Sequence, residues 1–76
     1  MDTTPKKFYR NTSKSQFKMA QKLFSALNFT RNIQHFSPVT LSMNLDQITG
    51  DCLYMYYDGD GNMVLGLSID RSGNII

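Results

Sequence analysis

The stretch CLYMYYDGDGNMVLGLSI, residues 52–69, decides the fold. Two apolar runs, 51–57 and 63–69, flank Asp58-Gly59-Asp60-Gly61-Asn62, and that arrangement predicts two antiparallel strands joined by a hairpin. Asp at the first loop position and Gly at the fourth suit a type I turn followed by a left-handed glycine bulge. Such a loop pairs Tyr57 with Met63, Met55 with Leu65 and Leu53 with Leu67, all on the side of Ile69. The opposite side then receives Cys52, Tyr54 and Tyr56 beside Val64, Gly66 and Ser68. A two-residue loop centred on Asp60-Gly61 inverts the choice and puts Tyr54 and Tyr56 against Leu65 and Leu67 in the core. The first arrangement is the expectation. It gives an aliphatic core, and its turn signature recurs at Asp70-Arg71-Ser72-Gly73-Asn74. Asn74-Ile75-Ile76 can then add a short edge strand.

Upstream, Val39, Leu41, Met43 and Leu45 alternate with Thr40, Ser42 and Asn44, the period of a half-buried strand. A turn over Asp46 to Gly50 returns the chain to the hairpin. Further back the period becomes helical. Phe17, Ala20, Leu23, Phe24 and Leu27 gather on one side of a wheel, flanked by Met19 and Ala26, while Lys14, Lys18 and Lys22 recur on the other. Ser13 and Gln16 match a capping box at the helix start. Phe29, Ile33 and Phe36 would fall on the lysine side if the helix continued. Asn28 suits a left-handed terminator, so the helix is expected to end near residues 28–30. Residues 29–38 then form an irregular connection closed by Ser37-Pro38.

The architecture that follows is α+β: one N-terminal amphipathic helix packed on an antiparallel meander of three to four strands. Residues 1–12 read as a mobile basic arm and 13–76 as a single small domain. The element order resembles the first part of a double-stranded-RNA-binding domain, but no second helix is read after the sheet. The two Asp-x-x-Gly-Asn turns are similar to those of tyrosine–aspartate repeat proteins over about twenty residues, hairpin chemistry common to many folds.

The net charge of +2 hides a separation. Residues 1–36 carry seven cations against Asp2 alone, a balance of +6, and residues 37–76 carry Arg71 against five aspartates, −4. The basic half would meet a polyanion and the acidic half would repel it. A chain this short buries only about 60% of its unfolded surface. Disulfides, a metal or a second subunit are the usual supplements. Cys52 is the only cysteine and His35 the only histidine, so a homodimer is the remaining route. The lone cysteine and the lack of a long apolar run suggest a cytoplasmic protein with no membrane partner.

Chemistry-bearing patterns are sparse. Asp58, Asp60 and Asn62 occupy the first three alternating positions of a calcium loop, but Met63 and Ile69 stand where Gly and Glu are needed. Glutamate is absent, and nothing brings Cys52 to the base it would need, His35. No cofactor, metal or enzymatic activity is therefore expected. The expected function is a small protein-binding module, a regulator or steric inhibitor of a larger protein or ribonucleoprotein assembly, with Tyr54, Tyr56 and Val64 as its contact face. Small inhibitors carried by phages and mobile elements have this look. The alternative is a nucleic-acid-binding module that uses Lys6, Lys7 and Arg10 of the arm with Lys14, Lys18 and Lys22 of the helix.

Overall fold

The computed structural model describes residues 12–76. Helix α1 (Lys14–Ile33) is followed by strands β1 (Thr40–Leu45), β2 (Cys52–Tyr57) and β3 (Met63–Ile69). The strands form one antiparallel sheet in the order β1-β2-β3. Helix α1 packs on one face, over β2 and β3 rather than over β1. This is the two-layer α+β fold that the periodicities predict. The expected basic arm lies, up to residue 11, outside the described residues. No helix among the described residues is long and apolar enough to cross a membrane.

The helix starts where the capping box places it. The Gln16 N–H donates to Ser13 Oγ at 3.1 Å, and the Ser13 N–H donates to Gln16 Oε1 at 2.9 Å. Both side chains also make tertiary bonds. Gln16 is 1% exposed, and its Nε2 donates to Gly50 O at 2.6 Å and Ile69 O at 2.9 Å. Ser13 Oγ donates to Arg71 O at 2.6 Å. The first turn of α1 is thereby clasped to the β1–β2 turn and to the end of β3.

The expected helix end near residues 28–30 is corrected. The helix runs to Ile33, Gln34 caps it, and the left-handed residue is His35, with φ 62°. Asn28 stays helical because its side chain is engaged elsewhere: Oδ1 accepts the Val39 N–H at 2.9 Å. An amide held by a distant strand no longer competes for its own backbone.

The hairpin register is the second correction. Tyr57 pairs with Met63 as the turn signature requires, but Tyr56 pairs with Leu65, Tyr54 with Leu67 and Cys52 with Ile69. Val64 is an extra residue, a β-bulge that shifts the pairing between Tyr56 and Tyr57. One residue of slip exchanges the faces of β2 relative to β3. Cys52, Tyr54 and Tyr56 therefore point inward and are 0–1% exposed, whereas Leu53, Met55 and Tyr57 point outward. Leu65, Leu67 and Ile69 face the core as expected, and so do Leu41, Met43 and Leu45. The helix presents the small Ala20 to the sheet, and the Tyr56 hydroxyl reaches over to donate to Ala20 O at 2.9 Å. The core is thus built around two tyrosine rings rather than being wholly aliphatic.

The two Asp-x-x-Gly-Asn loops adopt one geometry. In the first, Asp58 Oδ1 accepts from Asp60 and Asn62 N–H, and Gly61 N–H donates to Asp58 O. In the second, Asp70 Oδ1 accepts from Ser72 and Asn74 N–H, and Gly73 N–H donates to Asp70 O. Gly61 and Gly73 have φ of 86° and 89°. After the second loop the expected edge strand reduces to a single bridge, Ile69 with Ile75.

Candidate interaction surfaces

Burial removes the tyrosine face. Tyr54 is 1% exposed and Tyr56 not at all, so neither ring can meet a partner. Of that expected trio only Val64 reaches the surface, at the bulge. Burial, reinforced by the neighbouring Cys52, pushes both phenols well above their ordinary range. Burial likewise raises the Cys52 thiol. Cys52 sits at the level of the first helical turn, opposite Ile69, whose carbonyl Gln16 holds. His35 lies beyond the last helical turn, so the two are not brought together. Asp58, the first residue of the calcium-like pattern, spends its carboxylate on its own turn.

The outer face of α1 carries a different arrangement. Lys14, Lys18 and Lys22 are all exposed. Because the helix continues to Ile33, Phe29 and Ile33 extend the same stripe, whereas Phe36, past the left-handed His35, turns to the groove side with Phe24, Asn28 and Asn32. Phe29, Ile33 and Phe36 are 69%, 62% and 56% exposed. A basic segment therefore runs directly into an apolar one on a single helix face. Phe36 is held on its own side of the helix end. Arg31 lies over the Phe36 ring at 5.2 Å from its centroid and donates from Nε to Ser37 O at 2.7 Å. The periodicity already put Phe29, Ile33 and Phe36 on the lysine side. What hid this surface was reading Asn28 as the helix end. Lys6, Lys7 and Arg10 lie outside the described residues.

Two further surfaces flank the sheet. A groove of about 530 Å³ opens between the last turns of α1 and the entry to β1, lined by Phe24, Asn28, Phe36, Pro38 and Val39. On the outer sheet face, Leu53, Met55 and Tyr57 form an apolar strip along the central strand. The Tyr57 hydroxyl lies 3.4 Å from Met55 Sδ. Met63 lies over Gly66, where a Cβ would come within 3.0 Å of its sulfur. None of these surfaces pairs a nucleophile with a base. Among the described residues no group of three His, Cys, Asp or Glu gathers to hold a metal. No family model, no curated protein and no solved structure matches the chain.

Proposed function

We propose that this chain is a small non-enzymatic protein-binding module that docks on a larger protein or assembly and regulates or sterically blocks it. The observation that carries this reading is the exposed apolar pair Phe29 and Ile33 at the end of a lysine stripe on α1. Two large apolar side chains one helical turn apart on an exposed face offer an interaction site. Aromatic and aliphatic anchors supply the binding energy, and Lys14, Lys18 and Lys22 steer an acidic partner toward them.

Three lysines spaced a turn apart also suit a phosphate backbone, which keeps nucleic-acid binding as the second reading. One experiment separates the two: tagged chain is used to capture partners from lysate of cells that natively make it, with and without nuclease. It is compared with Phe29→Ser/Ile33→Ser and with Lys14→Gln/Lys18→Gln/Lys22→Gln. The module reading expects a protein that survives nuclease and is lost with the Phe29/Ile33 variant. Both altered side chains are more than half exposed, so the fold is retained. Capture that depends only on the lysines, vanishes with nuclease and weakens steeply with salt would overturn it.

A further inference from the structure

We infer that two copies of this chain pair through the outer edge of β1, with which no other described strand pairs, antiparallel about a two-fold axis at Met43, to make one six-stranded sheet. This uses the strand edge and not the outer helix face, so it stands apart from the protein-binding reading.

The phase of the hydrogen bonds shows what that edge offers. The Asp46 N–H donates to Asp51 O at 2.8 Å. Alternation along an antiparallel pair then turns the backbone groups of Asn44, Ser42 and Thr40 toward β2, and those of Leu41, Met43 and Leu45 away from it. Val39 continues the outward phase, and there the structure closes the edge itself, because Asn28 Oδ1 takes the Val39 N–H. Beyond that cap no other strand among the described residues pairs with the edge: β1 is an outer strand of the sheet. It carries no charge, proline or bulge of the kind that normally guards an edge.

The same three residues leave the core unfinished. Leu41, Met43 and Leu45 point inward but are only half-buried, because α1 lies over β2 and β3. Antiparallel self-pairing centred on Met43 sets Met43 against Met43 and Leu41 against Leu45 twice. All three outward-turned residues of each copy are used, for about six backbone hydrogen bonds. A centre one residue either way gives about four. Even-numbered side chains then meet even-numbered ones, Ser42 facing Asn44, so the inward apolar rows of both copies join on one face.

A second complementarity falls at the ends. Ile48, at the tip of the β1–β2 turn, is 96% exposed. It stands five residues after Met43, and Pro38 in the apolar groove stands five before it. Both are therefore within about 16 Å of the axis at ~3.3 Å per residue. The two-fold brings Ile48 of each copy toward the groove of the other. An isologous interface requires this kind of match, in which a protrusion and its recess lie symmetrically about the centre.

Sedimentation equilibrium of the full chain, from micromolar to millimolar concentration, tests the proposal. The expected result is a monomer–dimer equilibrium in which the amides of Leu41, Met43 and Leu45 gain hydrogen-exchange protection as concentration rises. Ser42→Lys/Asn44→Lys places like charges opposite each other twice and should weaken the dimer about tenfold, whereas Ser42→Lys/Asn44→Asp places opposite charges there and should restore it. Ile48→Asp should weaken it as well, and circular dichroism should show all three variants folded. A monomer at every concentration would overturn the proposal, as would a dimer indifferent to these substitutions. Edge amides protected independently of concentration would mean that the edge is covered within one chain, and would overturn it equally.

Discussion

Replacing Gln16 by Met removes one amide and keeps an unbranched side chain of similar length. The amide carries three hydrogen bonds: from Nε2 to Gly50 O and Ile69 O, and to Oε1 from the Ser13 N–H. At about 1 kcal/mol net for each, the loss is about 3 kcal/mol. In a domain of this size that corresponds to a fall in Tm of about 12–24 °C. Urea denaturation followed by far-UV circular dichroism measures it, with the midpoint falling and the slope unchanged. A loss below about 1 kcal/mol would refute the reasoning, because the side chain would then fill space and not clasp three segments. Gln16→Glu sharpens the test. It keeps the acceptor for Ser13 but sets a carboxylate against two carbonyl oxygens. The charged form is disfavoured there, so the folded pKa lies above the unfolded value of about 4.3. The folded state then binds the proton more tightly. The deficit of this variant should be small below about pH 4 and should grow as pH rises. A deficit that is flat with pH would count against the geometry.

The two glycine turns should respond unequally to alanine. A Cβ on Gly61 meets open space, so Gly61→Ala should cost only the left-handed strain, about 1 kcal/mol. A Cβ on Gly73 comes within 3.0 Å of the Ser15 backbone carbonyl, so Gly73→Ala should cost about 3 kcal/mol; equal losses in urea denaturation would contradict this. Stability should also fall in alkali. Cys52, Tyr54 and Tyr56 have folded pKa values raised above ordinary values of 9.0 and 10.0. Only the unfolded chain releases these protons as pH climbs past those values. Denaturation between about pH 8 and 12 should show the decline begin with the thiol and steepen with the phenols, by ~1.4 kcal/mol per pH unit for each tyrosine. Tyr56→Phe should reduce that slope, and an unchanged slope would place its phenol in water.

How much of this was legible in the residues depends on the range of the interaction. Ser13 and Gln16 announce the helix start because a capping box is local. The alternation from Val39 to Leu45 announces β1, and the repeated Asp-x-x-Gly-Asn announces both turns, because each is settled within a few residues. Three features needed the third dimension. Gln16 reads as a cap, and nothing nearby says that its amide also bridges two loops. Asn28 reads as a helix terminator until the Val39 N–H claims its side chain. The hairpin loop is legible in its own residues, yet the bulge behind it reverses β2. Two tyrosine rings packed beneath a small Ala20, with one hydroxyl reaching the helix backbone, outweighed an aliphatic alternative. The candidate surface followed from these misreadings. The tyrosine face closed when β2 reversed, and the Phe29–Ile33 stripe opened when the helix lengthened.

The extra residue at Val64 gives this hairpin something like a reading frame. Val64 is the bulge residue, a third exposed and outside the buried core, so exchanging it for another side chain should matter less than removing it. Removing its codon is a different event. Every other residue would be unchanged, yet one strand would turn its polar side to the helix and its apolar side to water, because the side-chain period of a strand is two. Between Tyr57 and Leu65 the chain can accept a change in kind more readily than a change in number. Where length does vary there, it should vary two residues at a time.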